Sequence, residues 1–292
     1  MVNCPVCHSD QTHFSLKVKD HSVSQEYFDV LECTQCSLRF TSNPPAGDQI
    51  SRYYQSEDYI SHSNTRKGLV NGLYHTVRRR TLVSKYHLLN RMTGRRHGRH
   101  LDIGAGTGAF VQYMNQRGWT SEGIEPDARA RERAKEYHQT ELLPVEAFES
   151  LAPGSFDAIS MWHVLEHVHD LYPYLHQIKN LLKPGGLVFI AVPNYTSYDA
   201  EKYGSAWAAY DVPRHLYHFS PASMKWLLKA VGMVLKEEIP MWYDSYYISL
   251  LSEKYIGGSA SLLKGFYTGA LSNMKAIGNK EKCSSLIYVA GK

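Results

Sequence analysis

A short apolar strand that runs into a glycine turn and then into a helix constrains the fold of this chain more than any other feature. Residues 100–103 (HLDI) are typical of a buried parallel strand. Gly104, Gly106 and Gly108 interrupt this run, and helical spacing resumes at Ala109. Strand, glycine turn and helix in this order bring backbone N–H groups close to a ligand. The pattern therefore predicts an α/β fold with a ligand site at the turn.

A second predicted strand, residues 120–124, ends at Glu125, about 20 residues after the glycine turn. A carboxylate at that position lies beside the turn and can accept both hydroxyls of a ribose. The glycines form G-x-G-x-G, not the G-x-G-x-x-G of dinucleotide binders, and Asp102 stands two residues before Gly104. We therefore expect a ligand that has a ribose but no pyrophosphate.

These motifs resemble motif I and the acidic loop of class I S-adenosylmethionine-dependent methyltransferases. The resemblance continues through residues 156–157 at the start of a fourth strand and through the K-P-G-G turn at 183–186. It implies a Rossmann-like, seven-stranded α/β sheet with S-adenosylmethionine as cofactor. It places Asp102 near the methionine amino group, Glu125 on the ribose and residues 146–147 on the adenine. The implied cofactor residues are Asp102, Gly104, Ala105, Gly106, Glu125, Pro126, Glu146, Ala147, Trp162 and His163.

Two C-x-x-C pairs near the start of the chain predict a metal site. The ligands would be Cys4, Cys7, Cys33 and Cys36, with 25 residues between the pairs. Each pair lets two thiolates from one tight turn reach the same ion, and two pairs complete a closed tetrahedral zinc site. A redox C-x-x-C is a poorer interpretation, because neither pair opens a helix after a core strand. We expect a structural zinc ribbon, since about forty residues bury too little surface to fold alone.

We divide the chain into a zinc ribbon (1–43), a basic helical linker (44–98) and a methyltransferase domain (99–292). The last contains a predicted lid (195–219) and a helical insert (241–280). Residues 66–100 hold ten Lys or Arg and no Asp or Glu. Two interpretations stay open for this stretch: a solvated helix face, or a patch that faces an anionic or carrier-linked substrate or RNA.

The catalytic candidates come from resemblance to some sugar C-methyltransferases. Residues 213–220 (PRHLYHFS) are similar to a segment whose histidine is the general base, which implies that role for His215. A tyrosine before the core domain reaches the active site in those enzymes, and Tyr59 is the candidate here. Those enzymes carry Glu before the histidine, whereas Arg214 stands here, so the resemblance does not extend to that position.

Residues 163–167 (HVLEH) also match H-x-x-E-H, an inverted zinc-protease pattern. That pattern needs a long helix and a distant third ligand. Here it follows a predicted parallel strand, so we reject the protease hypothesis.

Hydropathy argues against a membrane-spanning protein. The longest apolar run is residues 187–192, far below the ~20 residues that cross a bilayer. Polar Asn3 and Cys4 stand where a signal peptide would begin, so we expect a cytoplasmic location.

The leading hypothesis is methyl transfer from S-adenosylmethionine to an O or C acceptor on a small molecule, namely a sugar, polyketide or lipid-like compound. One alternative is an RNA methyltransferase that docks through its zinc ribbon. The predicted lid argues against RNA, because its only cations are Lys202 and Arg214. A second alternative is a protein that binds the cofactor without turnover.

Overall fold

The computed structural model describes residues 2–46, 49–54, 69–257 and 261–292, and for residues 69–79 it describes the backbone alone. Tyr59, the tyrosine candidate, lies outside the described residues, as does part of the basic stretch. The described residues form one large and one small β-sheet, with helices on the large sheet.

The large sheet has the strand order β5-β4-β6-β7-β10-β9. Strands β4 to β7 pair in parallel, and β10 runs antiparallel to both β7 and β9. This sheet confirms the predicted Rossmann-like architecture. Its strands are β4 (Arg99–Ile103), β5 (Thr120–Ile124), β6 (Phe156–Trp162), β7 (Leu182–Pro193), β9 (Val234–Pro240) and β10 (Ser285–Gly291).

Residues 141–144, which a seven-stranded sheet would need as its third strand in chain order, form only a single parallel bridge between Ile124 and Leu143. Leu143 N donates to Gly123 O (2.8 Å) and Leu143 O accepts from Glu125 N (2.9 Å). The chain then enters a 3-10 turn at Val145, so the pairing goes no further. Leu143 therefore occupies the edge of the sheet beside β5, but the described sheet has six strands and one bridge where seven strands were expected.

The helices include the predicted linker helix and two helices in the predicted insert. No described helix is long and apolar enough to cross a membrane. The helices are α1 (Leu69–Thr93), α2 (Ala109–Asn115), α3 (Ala128–His138), α4 (Leu171–Leu181), α5 (Tyr198–Tyr203), α6 (Pro221–Ala230), α7 (Asp244–Gly257) and α8 (Leu262–Gly278).

The small sheet joins the N-terminal segment to the predicted lid. Its order is β1 (Thr12–Lys19), β2 (Tyr27–Cys33), β3 (Arg39–Thr41) and β8 (Tyr217–His218), with antiparallel neighbours throughout. The first three strands belong to the predicted ribbon, whereas β8 comes from residues 195–219. The two segments thus share one hydrogen-bonded sheet, which the division at residue 43 did not include.

Candidate functional site

The glycine turn after β4 adopts backbone conformations that favour glycine. Gly104, Gly106 and Gly108 have φ of 72°, 55° and 75°. A Cβ on Gly104 would lie 2.4 Å from Cγ2 of Val164, whereas a Cβ on Gly106 would meet no atom within 4 Å. The turn is therefore closed against residue 164 on one side and open at Gly106, where a ligand can approach the backbone.

Glu125 is tied to this turn. Its Oε2 accepts a hydrogen bond from Gly106 N (2.7 Å) and its Oε1 accepts one from Asp127 N (3.0 Å). Burial raises the pKa of this carboxyl. An ionised carboxylate has about four acceptor positions, so each oxygen keeps one for an external hydroxyl. This geometry fits a ribose diol beside the glycine turn.

Asp102 is the second acid of the turn, and it is buried near the end of β4. It accepts a hydrogen bond from Ser160 Oγ (2.5 Å), which also lies 2.9 Å from His100 Nε2. Burial raises the pKa of Asp102 to about 6, against the opposing effects of Ser160 and Lys85. A buried carboxylate with few partners is unfavourable for folding, yet it suits a ligand that brings a positive charge.

Asp102→Asn is expected to stabilise the fold at neutral pH. The native pKa of about 6 lies above the unfolded value of 3.8, so stability falls as pH rises from 4 through 6. Removing the charge should raise the free energy of unfolding by about 3 kcal/mol at pH 7.5 and by about half that at pH 5. Urea unfolding at both pH values measures this.

Asp157→Asn is the matched control, because its shift has the opposite sign. Burial opposes ionisation, but Lys183 (2.7 Å) and Arg99 N (2.8 Å) outweigh it and lower the pKa of Asp157. This variant should lose stability at pH 7.5. An Asp102→Asn protein less stable than wild type at pH 7.5 would contradict the account of Asp102.

The remaining cofactor candidates lie around the turn with different exposure. Trp162 ends β6, and Lys85 Nζ is 4.1 Å from its ring centroid. The Trp162 side chain also interacts with Asp102, whose pKa it lowers against the effect of burial. Ala147 is half-buried in a 3-10 turn beyond β5, whereas Pro126 and Glu146 are exposed.

His163 belongs to an ion-pair chain and lies after β6. Its Nε2 is 3.0 Å from Asp244 Oδ2, and its Nδ1 is 3.4 Å from Glu166 Oε1. Burial alone lowers the pKa of His163, but Asp244 and Glu166 outweigh it and raise the pKa to about 10. His163 is therefore an imidazolium at neutral pH. Burial also opposes ionisation of Glu166, but His163 outweighs it and lowers the pKa of that carboxyl.

His215 faces the other side of this buried carboxylate. Its Nδ1 lies 2.8 Å from Ala209 O, and its Nε2 lies 4.0 Å from both Glu166 Oε1 and Asp211 Oδ2. A carbonyl oxygen can only accept, so Nδ1 carries the proton and the lone pair of neutral His215 is on Nε2. That tautomer is the one a general base needs.

His167 lies next to Glu166 and His215, and like His215 it has its Nδ1 on a backbone carbonyl oxygen. Its Nδ1 lies 3.0 Å from Arg214 O and 3.1 Å from Tyr54 Oη, and its ring meets the ring of His215 edge-on at 4.6 Å. Burial, and then His215, lower the pKa of His167 to about 4, so it is neutral at pH 7. One ligand atom each from Glu166, His167 and His215 lies within 4.8 Å of the others, a spacing that a metal ion can bridge.

Sequence reasoning did not assign these neighbours of His215. In the sequence, Glu166 and His167 belong to the rejected protease pattern, which follows β6 and contains a 3-10 turn at Leu165–His167 instead of a long helix. No sequence motif predicts that Asp244, at the start of α7, pairs with His163. The tyrosine that contacts the cluster is Tyr54, five residues before the candidate Tyr59.

Arg214, which replaces the expected Glu before His215, holds three segments together. Its guanidinium is fully buried and donates to Asp20 Oδ1 (2.9 Å), Asp211 Oδ1 (2.6 Å) and Tyr53 O (2.8 Å). Burial opposes its charge, but Asp211 and Asp20 outweigh that effect and raise the pKa of Arg214. The residue thus joins the segment that follows β1, the turn at residue 53 and the predicted lid.

The four N-terminal cysteines converge as their spacing predicts. Cys4 Sγ is 3.5 Å from Cys36 Sγ, Cys7 Sγ is 3.4 Å from Cys33 Sγ, and all four sulfurs lie within 4.8 Å of one another. Zinc–sulfur bonds of about 2.3 Å in a tetrahedron place sulfurs about 3.8 Å apart. The donor set and its spacing fit a zinc ion.

The chain matches known methyltransferases over its central half. A family model described as a methyltransferase domain matches residues 74–238. The ubiquinone biosynthesis O-methyltransferase of Acinetobacter baumannii (strain AYE) is 30% identical over 161 residues, 49% of this chain and 67% of that protein. The enzyme of the same name from Xanthomonas euvesicatoria pv. vesicatoria (strain 85-10) is 29% identical over 161 residues, 51% of this chain and 67% of that protein.

Two solved structures show the same fold at low identity. Phosphoethanolamine N-methyltransferase 2 of Haemonchus contortus, in complex with S-adenosyl-L-methionine, has a TM-score of 0.53 and 18% identity over 96% of this chain and 68% of that one. The [4+2]-cyclase SpnF has a TM-score of 0.50 and 16% identity over 72% and 80%. The family match and the O-methyltransferase relatives establish that this chain belongs to the methyltransferase-domain family and is a class I S-adenosylmethionine-dependent methyltransferase.

Proposed function

We propose that this chain methylates an O or C atom of a small, lipid-like molecule, with His215 as the general base. One observation carries the proposal: the segment that holds Glu166 borders the glycine turn. Val164 packs against Gly104, and Glu166, two residues later, lies 4.0 Å from His215 Nε2. A base-ready histidine therefore stands beside the predicted cofactor turn.

The chain contributes binding, orientation and proton transfer. The cofactor, when bound, supplies an electrophilic methyl group that already carries a good leaving group. Asp102 would lie at its amino group and Glu125 at its ribose, while the open face of Gly106 admits it. Holding the acceptor in line with the C–S bond is then the main requirement.

His215 would take the acceptor's proton on Nε2. Its Nδ1–H bond to Ala209 O holds the ring in place, as the second partner of a catalytic histidine does. The imidazolium that forms would face the buried Glu166 carboxylate, which the His163 imidazolium contacts from the other side, while Asp244 pairs with His163 in turn. An acceptor that must lose a proton, such as a phenol or an acidic C–H, matches this chemistry.

The relatives support an O acceptor on a small molecule. The proteins at 29% and 30% identity are named as O-methyltransferases of ubiquinone biosynthesis. We extend from them only the acceptor class, a hydroxyl on a lipid-like compound, because they match about half of this chain.

We further propose that Cys4, Cys7, Cys33 and Cys36 bind one structural zinc ion. Four sulfurs complete its coordination and leave no position for catalysis. Because free thiolates persist in reducing compartments, this proposal favours a cytoplasmic location.

Glu125→Ala should weaken cofactor binding on the order of 100-fold, since hydrogen bonds to a charged carboxylate contribute about 1.5–3 kcal/mol each. Isothermal titration with S-adenosylhomocysteine measures this change. Glu149→Ala, which removes an exposed acid near the predicted adenine loop, is the control and should bind as wild type. Equal affinities for wild type and Glu125→Ala would remove Glu125 from the ribose site.

The acceptor class is tested with S-adenosylmethionine that carries a labelled methyl group. The protein is incubated with an extract from cells that lack it, and the products are separated into organic-soluble, water-soluble small-molecule and nuclease-sensitive fractions. Label in the organic-soluble fraction is the expected result. Label confined to nuclease-sensitive material would overturn the proposal in favour of RNA.

A further inference from the structure

The helical hairpin of α7 and α8 has its small side chains inside and its large apolar side chains outside. The buried positions of α8 are Gly265, Thr268, Gly269, Ser272 and Ala276. A Cβ on Gly265 would lie 2.9 Å from Leu250 Cα, and one on Gly269 would lie 2.8 Å from Tyr246 Cα. The two helices therefore pack backbone to backbone, as helices do where the surroundings are as apolar as the side chains.

The outer face of α8 is apolar and exposed. Leu263 is 87% exposed, Ile277 78%, Met274 65% and Phe266 63%, and Leu262 and Tyr267 add to the same surface. Single exposed apolar residues are ordinary, but a row of them along a helix of about 26 Å marks an interaction site. Trp242, Tyr243 and Tyr247, at the start of α7, are also exposed aromatics.

The acidic side chains of the hairpin face the protein interior, whereas its lysines are exposed. Asp244 pairs with His163, and Glu253 accepts a hydrogen bond from Tyr203. Its lysines (Lys254, Lys264 and Lys275) are exposed, and α8 carries no acid. The exposed face is thus apolar with a positive border.

We propose that the α7–α8 hairpin docks on the surface of an anionic lipid bilayer. A helix that lies in the headgroup region buries an apolar face, presents lysines to anionic lipids and uses Trp and Tyr at the interface. This hairpin has all three features, and the inward acids remove the charges that such a surface would repel. Because Asp244 also pairs with His163, the docked hairpin would place the candidate site next to the bilayer.

Vesicle binding tests the proposal without any acceptor, so its outcome is independent of the proposed reaction. The full chain is sedimented with phosphatidylcholine vesicles and with mixed phosphatidylcholine–phosphatidylglycerol vesicles. We expect binding to the mixed vesicles. Leu263→Glu/Phe266→Glu should weaken it at least tenfold, whereas Tyr137→Glu, at an exposed aromatic on α3, should change it less than twofold.

Lys264→Gln/Lys275→Gln tests the electrostatic part. Each lysine near an anionic surface contributes about fivefold in affinity, so this variant should bind mixed vesicles about 25-fold more weakly. Wild type that binds neither vesicle would overturn the proposal, and so would binding that survives Leu263→Glu/Phe266→Glu. A wild-type dimer that this variant converts to a monomer, without vesicle binding, would assign the face to a second copy of the chain instead.

Discussion

Removal of the proposed zinc ion, or replacement of Cys33 by Ser, is expected to unfold the predicted ribbon and to lower methyl transfer at least about 100-fold. Structural zinc contributes about 10–16 kcal/mol in zinc-finger peptides, and a small domain has little other stability. The predicted ribbon also contacts the proposed base: Thr41 Oγ1 donates to His215 O (2.8 Å) and Thr41 N donates to Leu216 O (2.9 Å). A displacement of about 1 Å at the base is enough to lower the rate about 100-fold.

Metal analysis measures the zinc content, thermal unfolding measures the stability, and a methyl-transfer assay measures the rate. Wild type should hold one equivalent of zinc and the Cys33→Ser protein less. Cys283→Ala is the control, because Cys283 is buried outside the cluster, and it should retain one equivalent. A Cys33→Ser protein with full zinc content and an unchanged melting temperature would contradict the four-ligand site.

Arg214→Leu is expected to destabilise the protein by about 3–5 kcal/mol, because it leaves the buried carboxylate of Asp20 and the half-buried carboxylate of Asp211 without their cation. Both carboxylates face the Arg214 guanidinium within 3.0 Å, and Asp20 is 1% exposed. Urea unfolding at pH 7.5 measures the loss.

A second substitution separates the charge from the packing. Arg214→Leu/Asp20→Asn should be more stable than Arg214→Leu, since it removes one of the two uncompensated charges. Lys135→Ala, in an exposed pair with Glu141, is the control and should unfold as wild type. An Arg214→Leu protein as stable as wild type would show that the ion pairs of Arg214 with Asp20 and Asp211 do not hold the predicted lid to the predicted ribbon.

The sequence predicts local and short-range features well in this chain. The strand before Gly104, the glycine turn and the two C-x-x-C pairs are contiguous patterns whose geometry follows from steric and coordination rules. The structure places Glu125 on Gly106 N and gathers the four sulfurs, as those rules require.

Long-range pairing escapes such rules. Strand β8 has two residues and pairs with β3, which lies more than 170 positions earlier in the sequence. A strand this short has no alternating pattern from which it could be predicted. Arg214 looks like a departure from a catalytic pattern, yet its partner Asp20 is 194 residues away. The strand expected at residues 141–144 is a single bridge, because a 3-10 turn begins at Val145.

The most direct test of the account compares wild type with His215→Asn on the acceptor that the labelled fractions identify. We expect kcat to fall about 100- to 10,000-fold, the range for loss of a general base, while the affinity for S-adenosylhomocysteine stays within about twofold. His176→Asn, at an exposed position of α4, should leave both values unchanged. A His215→Asn protein with the wild-type kcat would contradict the assignment of the base.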